Sequence, residues 1–296
     1  LLALLLPACK CDRDEPHPRL VVTAIEADDR SRPKFAIAGL TSETVASWVK
    51  RRLVRSPRIV VAPAAGASGA TGRSPASRRY RLRIEYGLGL RDDGIGEPAT
   101  VVAVSARASS GELDVAPLQA SVIAPVPEDR EDRAFLRAKV EQVADDLVYQ
   151  AELTVGPEAE VVAALERAGT SAEGPERLAA AIEIAAVRRV RSAVPALIQL
   201  LKHEDERIAD RAVGALVSIG DRRAVKPLTR VTRFSDTAKM AKILDGVAAL
   251  GGDEAREYLE FVSSGHDDPD IRNLAAEARE RMKRRSGTSG NADRDE

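Results

Sequence analysis

The sequence predicts two folded regions in succession: an α+β domain, with an antiparallel sheet and the element order β-α-β-β-β-β-α, followed by an all-α array of helical hairpins. Two observations support this fold class. From residue 79 to residue 91, apolar and polar side chains alternate, as in a strand with one buried face. Beyond residue 157, apolar residues recur at a fixed spacing, which is typical of stacked repeats. The chain has 296 residues, of which 44% are hydrophobic, so it is long enough for two cores.

The first segment of the chain, residues 1–8, contains five leucines and is followed by Cys9. Leu6-Pro7-Ala8-Cys9 places a small residue directly before a cysteine, which resembles the lipobox of bacterial lipoproteins, although Pro7 departs from the usual Ala, Ser or Thr. The resemblance implies that residues 1–8 are the remnant of a signal peptide, that Cys9 is lipidated, and that residues 9–18 form a tether. The alternatives are an ordinary secretory signal peptide and a truncated buried helix.

The lipoprotein resemblance also implies a location. Several acyl chains on Cys9 would hold the mature protein on a membrane. In the enteric sorting pattern, a residue other than Asp after the lipidated cysteine, here Lys10, points to the outer membrane. We therefore expect a protein of the bacterial cell envelope, lipid-anchored on the periplasmic face of the outer membrane. Cys9 and Cys11 are the two cysteines of the chain, which leaves none for a disulfide framework in the folded regions.

The α+β domain is predicted for residues 19–155. Its helices show apolar residues at helical spacing, and turn sequences after residues 91 and 108 join the last three strands into an antiparallel meander. A loop rich in Ala, Gly and Ser is predicted for residues 63–77. The predicted strands are 20–25, 58–62, 79–91, 100–108 and 112–124, and the predicted helices are 41–55 and 129–151.

This order of elements resembles the small periplasmic α+β domain shared by the penicillin-binding-protein activator LpoB, the curli secretion lipoprotein CsgG and the N-terminal part of TolB. Several members of that group are lipoproteins whose domain follows an N-terminal tether. The resemblance covers residues 19–155 and rests on element order and context, with no diagnostic motif. It implies an exported domain.

The second region, residues 157–285, is predicted from apolar residues spaced 31 apart. They form three series: Ala193, Ala224, Ala255; Leu197, Leu228, Leu259; and Leu200, Val231, Val262. Each unit is predicted as a helix, a polar turn and a second helix, which ends at a glycine such as Gly220 or Gly251. These residues resemble HEAT repeats of the short kind also found in phycobilisome lyases, and imply an all-α, HEAT-like solenoid. A degenerate first unit has Arg188-Arg189 in place of the glycine, and residues 286–296 are predicted to be a disordered tail.

Stacked hairpins leave an open surface that suits protein binding better than chemistry. Charged residues of the second helices are predicted to face away from the core. The functional interpretation of these residues is a docking surface for an unidentified envelope protein, and the alternative is a solvated face. The candidate partner-binding residues are Asp210, Arg211, Lys239 and Lys242.

Basic residues cluster at two places in the α+β domain. If the two sets converge, they form a patch suited to lipid phosphates, peptidoglycan carboxylates or an acidic partner. The alternative is an exposed strand face and a well-charged helix end. The candidate basic patch consists of Lys50, Arg51, Arg52 and Arg55 on the helix, and Arg79, Arg81 and Arg83 on the strand.

Composition argues against several functions. A net charge of -1 and an aromatic content of 3% do not favour nucleic-acid binding. Neither metal-ligand spacing nor a nucleophile motif accompanies the three histidines, of which His203 and His266 are predicted in exposed turns. We therefore predict no cofactor, metal or catalytic residue, and a non-enzymatic scaffold or adaptor that binds protein through its repeats. The alternative is an exported enzyme or lyase-like protein with an unrecognised site between the two domains.

Overall fold

The computed structural model describes most of the chain and divides it into two compact units, Leu1–Gly156 and Pro157–Glu296. The described residues are 19–62, 78–91, 99–110, 117–127, 132–167, 174–231 and 237–289. Several predicted features therefore lie outside the described residues: the signal-peptide remnant, the tether with Cys9, the loop at 63–77, and residues 290–296 of the tail.

The first unit combines a five-stranded sheet with two helices. In chain order its elements are β1 (Leu20–Asp29), a 3₁₀ turn (Pro33–Phe35), α1 (Ser42–Leu53), β2 (Ile59–Val61), β3 (Arg78–Arg91), β4 (Ala99–Ser109), β5 (Leu118–Pro125) and α2 (Asp132–Val155). Helix α1 begins after Thr41, whose hydroxyl accepts a hydrogen bond from the backbone N–H of Thr44. Pro57, which cannot continue a helix, follows its end.

The sheet is mixed, with the strand order β2-β1-β3-β4-β5. Strands β3, β4 and β5 pair antiparallel, in agreement with the predicted meander. Strand β1, however, pairs in parallel with both β2 and β3, so the prediction of an antiparallel sheet was wrong for this half. For β1 and β2 the reason is the connection through α1, because a helical crossover returns the chain in the direction of the strand it left.

The core of this unit lies between one face of the sheet and the two helices. Alternate residues of β3 are buried there: Tyr80, Leu82, Ile84, Tyr86 and Leu88. Helix α1 adds Trp48 and α2 adds Leu136, among others, to the same cluster. The intervening residues of β3, such as Arg79, point to the opposite face, which no described helix of this unit covers. We call that opposite face the outer sheet face.

The described residues of the second unit form helices and turns only. They are α3 (Glu158–Arg167), α4 (Pro175–Val187), a 3₁₀ turn (Arg191–Ala193), α5 (Val194–Leu200), α6 (Glu206–Ile219), a 3₁₀ turn (Arg222–Ala224), α7 (Val225–Val231), α8 (Thr237–Leu250), α9 (Asp253–Gly265) and α10 (Pro269–Ser289). Helices α3–α4, α5–α6, α7–α8 and α9–α10 form successive hairpins. The second helix of each hairpin packs against the second helix of the next.

The ends of the second helices follow the predicted pattern. Helix α6 ends at Gly220, with φ of 75°, and α8 ends at Gly251, with φ of 67°. Arg189, at the end of α4, adopts the same left-handed backbone, with φ of 51°. Because a side chain in this region clashes with the backbone, the arginine costs about 1–2 kcal/mol more than glycine would in steric terms.

The last helix is longer than predicted. Helix α10 continues to Ser289, although residues 286–296 were predicted to be disordered, so the prediction was wrong for residues 286–289. The buried apolar residues of this helix end at Met282. The helix can continue beyond them, because each residue added to an existing helix gains a further backbone hydrogen bond without a new nucleation step. An ion pair of 2.9 Å between Glu280 and Lys283 supports the last described turns.

The longest helices are α2, with 24 residues, and α10, with 21 residues. In the part of the chain that the structure describes, no helix is both long and apolar enough to cross a bilayer.

Candidate functional site

The exposed sides of the second helices form the main candidate for a binding surface. We call this surface the second-helix face. It consists of exposed or half-buried residues of α6, α8 and α10: Asp210, Arg211, Lys239, Lys242, Asp245, Leu274, Glu277 and Arg281. Arg211, Lys242 and Leu274 occupy equivalent positions of successive hairpins. All four predicted partner-binding residues therefore lie on one face, because the repeat places equivalent residues side by side.

Ion pairs join the helices across this face. Lys242 Nζ lies 2.8 Å from Asp210 Oδ2, and Lys239 Nζ lies 3.6 Å from a carboxylate oxygen of Glu206, so both pairs connect α6 to α8. Arg281 of α10 pairs in the same way with Asp245 of α8. Exposed pairs of this kind contribute about 0–1 kcal/mol each. Three of the predicted residues, Asp210, Lys239 and Lys242, thus join neighbouring helices. The face carries both positive and negative charges.

A shallow groove of about 360 Å³ lies between α8 and α10. Its apolar lining consists of Ala248, Ala249, Leu274 and Met282, and its polar lining of Asp245, Arg281 and Arg285. Leu274 is 38% exposed, although the equivalent positions in α6 and α8 carry Arg211 and Lys242. A hollow lined by both apolar and charged side chains, near the lower end of the 300–1,000 Å³ typical of binding pockets, can receive one or two small side chains.

The sequence interpretation did not identify this groove. The signal that could have found it is Leu274 itself, since a leucine replaces a charged residue at the exposed position of the repeat. The small side chains Ala248 and Ala249 opposite it leave the space.

The polar turns that lead into α6 and α10 are helix caps. His203 Nδ1 accepts a hydrogen bond of 3.0 Å from the backbone N–H of Asp205, and His266 Nδ1 does the same with Asp268. Each aspartate in turn accepts from the backbone N–H two residues later. The prediction of an exposed turn was wrong for His266, which is 5% exposed, because its ring folds back over the turn to reach that N–H.

Asp221 has the most perturbed carboxylate of the described chain for a structural reason. Arg223 donates to Asp221 through its backbone N–H at 3.0 Å and through its guanidinium, at 2.7 Å for the shorter contact. These bonds from Arg223 lower the pKa of Asp221 to about 2. Arg223 also donates to the backbone carbonyl of Arg191 in the preceding hairpin. The shift therefore reflects the local turn that Asp221 caps, whereas Arg223 alone reaches the preceding hairpin. The described residues contain no group of three or more His, Cys, Asp or Glu that could hold a metal ion.

The two predicted basic clusters do not meet. Lys50, Arg51, Arg52 and Arg55 belong to α1 or directly follow it, on the helical side of the sheet, whereas Arg79, Arg81 and Arg83 lie on the outer sheet face. Arg52 is also bound within the unit, because its guanidinium lies 2.5 Å from Glu141 and 3.4 Å from Asp145 of α2. The predicted single patch was therefore wrong, since a sheet that buries one face separates the helix from the odd-numbered residues of β3.

The outer sheet face carries a further arginine that the sequence interpretation missed. In the register of β3 and β4, Arg107 lies directly opposite Arg83, and both are exposed. Arg83 lies 3.5 Å from Glu26 and 3.8 Å from Asp28, whereas Arg107 forms no ion pair with any described residue. Alternation in residues 99–109 would have placed Arg107 on this face.

Comparisons with known proteins bear on the second unit. Residues 161–238 match the sequence family of HEAT repeats, which confirms the predicted repeats over that range. No curated protein matches the chain. The fold is similar to the hypothetical protein CT253 from Chlamydia trachomatis, with 11% identity over 45% of this chain and 93% of that chain and a TM-score of 0.28. It is also similar to protein XCC0632 from Xanthomonas campestris, with 18% identity over 48% of this chain and 86% of that chain and a TM-score of 0.24.

Proposed function

We propose that this protein is a lipid-anchored, non-enzymatic scaffold of the bacterial cell envelope, and that it binds a protein partner through the second-helix face. The observation that carries the proposal is the match of residues 161–238 to HEAT repeats. Repeats of this kind contact only their neighbours and leave an extended face that suits other proteins. The solenoid form of the array is part of the proposal.

The groove between α8 and α10 is the proposed anchor point for the partner. An apolar side chain of the partner would enter beside Leu274, where exposed apolar surface can be buried. The charges of Asp245 and Arg281 border the groove and would orient the flanking polar groups. The Asp210–Lys242 pair keeps α6 and α8 at a fixed spacing beside it.

The proposed anchor is a lipid on Cys9, and its support lies in the sequence. The leucine-rich residues 1–8 end in Ala8-Cys9, and Lys10 follows. Lipidation would place the protein on the periplasmic face of the outer membrane. The resemblance of the first unit to LpoB, CsgG and TolB stays a prediction and is consistent with an exported protein.

Docking can be tested by affinity capture with chemical crosslinking in native membranes. Leu274→Asp places a charge in the groove and is expected to reduce recovery of the partner about tenfold. The matched control is Phe261→Asp, because Phe261 is an exposed apolar residue on α9, the first helix of the same hairpin. Equal loss in both variants, or turnover of a small substrate by the purified protein without any partner, would contradict the proposal.

Anchoring can be tested by labelled palmitate. The label should appear in the protein, disappear in Cys9→Ser, and remain in the control Cys11→Ser. A membrane distribution that is the same in Cys9→Ser as in the unaltered chain would refute the anchor.

A further inference from the structure

We propose that the outer sheet face is a second membrane contact, in which Arg79, Arg81 and Arg107 bind anionic lipid headgroups of the bilayer that holds Cys9. The choice of a bilayer as the ligand rests on the proposed lipid anchor. The site itself is defined by the described residues of the sheet.

The three arginines are neighbours on one surface. Arg79 and Arg81 are two residues apart on β3, so their side chains point the same way. Arg107 lies opposite Arg83 on β4 and therefore diagonal to Arg81, at the roughly 7–8 Å typical of diagonal neighbours in a sheet. All three are exposed, and none forms an ion pair with a residue that the structure describes.

The carboxylates of this face are engaged elsewhere. Glu26 and Asp28 both lie against Arg83, and Glu85 is paired with Arg30 at 2.8 Å. Arg79, Arg81, Arg83 and Arg107 carry four positive charges against the two negative charges of Glu26 and Asp28, which leaves a surplus of two to be balanced from outside. Because like charges on neighbouring strands repel each other, an external anion would stabilise the face.

The shape and apolar content of the face favour a lipid surface over an acidic protein. No described helix of the unit covers the face, and Arg79, Arg81 and Arg107 are exposed on it. Ile123, on the same side of the edge strand β5, is 69% exposed. Ile123 pairs with Ala103, four residues along β4 from Arg107. Guanidinium groups bind phosphate through paired hydrogen bonds, and an exposed apolar side chain farther along the same face can enter the headgroup region.

The proposed tether brings this face within reach of the bilayer. Val21 of β1 pairs with Arg79 in a parallel register, so the arginine cluster starts at the end of the sheet where the chain enters it. The segment from Cys9 to Leu20 can span at most about 40 Å when fully extended. The anchor would therefore hold the arginines close to headgroups without preventing the contact.

The test uses the full chain with Cys9→Ser, so that no acyl chain contributes, and cosedimentation with vesicles made of equal parts phosphatidylglycerol and phosphatidylcholine. The protein should bind these vesicles and not vesicles of phosphatidylcholine alone. Arg79→Gln, Arg81→Gln and Arg107→Gln together should weaken binding about 100-fold, since each cation near an anionic surface contributes roughly a fivefold factor.

The matched control removes the same charge from the other side of the sheet, through Lys50→Gln, Arg51→Gln and Arg55→Gln, and should change binding less than about threefold on the same scale. Circular dichroism of both triple variants checks that the fold is intact. Absent binding to anionic vesicles, equal loss in the control, or binding of polyglutamate but not vesicles by the same arginines would overturn the proposal. Because the Cys9→Ser protein carries no acyl chain in any vesicle sample, a failure of the vesicle experiment is distinguishable from a failure of the palmitate experiment.

Discussion

The two units of the molecule differ in how they bury apolar residues. In the first unit, strands far apart in sequence share one core, as when Val22 of β1 lies beside Tyr80 of β3 with α2 packed against the same sheet. In the second unit, each hairpin packs on the hairpins next to it. A core defect in the first unit should therefore affect the whole unit, whereas the destabilisation from a core defect in the second unit should be shared between neighbouring repeats.

The two units also differ in how they treat surface charge. The second-helix face pairs its charges across helices, as Asp210 does with Lys242. The outer sheet face leaves Arg81 and Arg107 without an ion pair among the described residues. The first arrangement suits a partner that buries an apolar side chain beside neutralised charge, and the second suits an anionic surface.

The largest expected effect comes from replacing two equally buried leucines, one in each unit. Leu136 in the first unit and Leu228 in the second are each 0% exposed. Leu136→Ala and Leu228→Ala should each lower the free energy of unfolding of their own unit by about 3–4 kcal/mol, because each leaves a cavity. Urea unfolding of the full chain should show two transitions, with one shifted in each variant. A shift of both transitions by either substitution would contradict the comparison.

The repeat itself can be tested with a matched series. Leu197, Leu228 and Leu259 occupy the same position in successive hairpins, and all are fully buried. Replacement by Ala should cost about 2–5 kcal/mol at each position. Leu197→Ala and Leu228→Ala should cost no less than Leu259→Ala, because their hairpins have described neighbours on both sides. A neutral result at any of the three positions would oppose stacked hairpins.

A smaller effect is expected at Gly87 in β3. A Cβ atom there would lie 2.8 Å from the backbone atoms Arg30 C and Ser31 N, so the chain would have to shift. Gly87→Ala should therefore destabilise the first unit by about 2 kcal/mol. Gly89→Ala is the control, because a Cβ at Gly89 meets nothing within 4 Å, and its effect should be within about 0.5 kcal/mol. Equal thermal shifts in the two variants would contradict the close approach of residues 30–31, which follow β1, to Gly87 of β3.

The stability contributed by the Asp221–Arg223 pair should depend on pH. Its pKa is lowered to about 2 by Arg223, so the stability from the charged form is present above the unfolded pKa of about 4 and is lost as the pH falls towards 2. Asp221→Asn keeps the shape and removes the charge, and should lower the free energy of unfolding by about 1 kcal/mol at neutral pH. Unfolding measured between pH 7 and pH 2 should show this difference shrinking below pH 4. A constant difference would contradict the assigned pKa.

The smallest effect is expected at the end of α4. Arg189→Gly removes the strain of a left-handed backbone but increases the conformational entropy of the unfolded chain. The free energy of unfolding should therefore rise by only about 0.5 kcal/mol. Gly220→Ala, at the equivalent end of α6, should have the opposite sign, with a loss of about 1 kcal/mol. Thermal unfolding compares the two. If Arg189→Gly lowers the free energy of unfolding, the Arg189 side chain stabilises the fold by more than its backbone strain destabilises it.

Local patterns in the sequence predicted most elements but not their long-range arrangement. Alternation around Tyr80 and Leu82 correctly indicated the buried face of β3, and the 31-residue spacing of Leu197 and Leu228 correctly indicated the hairpins. The parallel pairing of β1 was missed, because strand direction depends on the crossover through α1 rather than on side-chain alternation. The separation of the two basic clusters was missed because it depends on which face of the sheet α1 covers, a long-range contact that local patterns do not encode.

The candidate site was only partly predictable. Asp210 and Lys242 were expected on an exposed face, but their pairing follows from the distance between neighbouring helices, which no local pattern encodes. The groove beside Leu274 likewise depends on how α10 packs against α8. The burial of His266 depends on a turn in which its ring reaches a backbone N–H.

Site-specific photocrosslinking in native membranes tests most directly whether the second-helix face binds a protein. A photoreactive amino acid is placed at position 274 in one sample and at position 261 in another. The proposal predicts one defined crosslinked product from position 274 and none of that mass from position 261. The same product from both positions, or a product from position 261 alone, would contradict docking through the second-helix face.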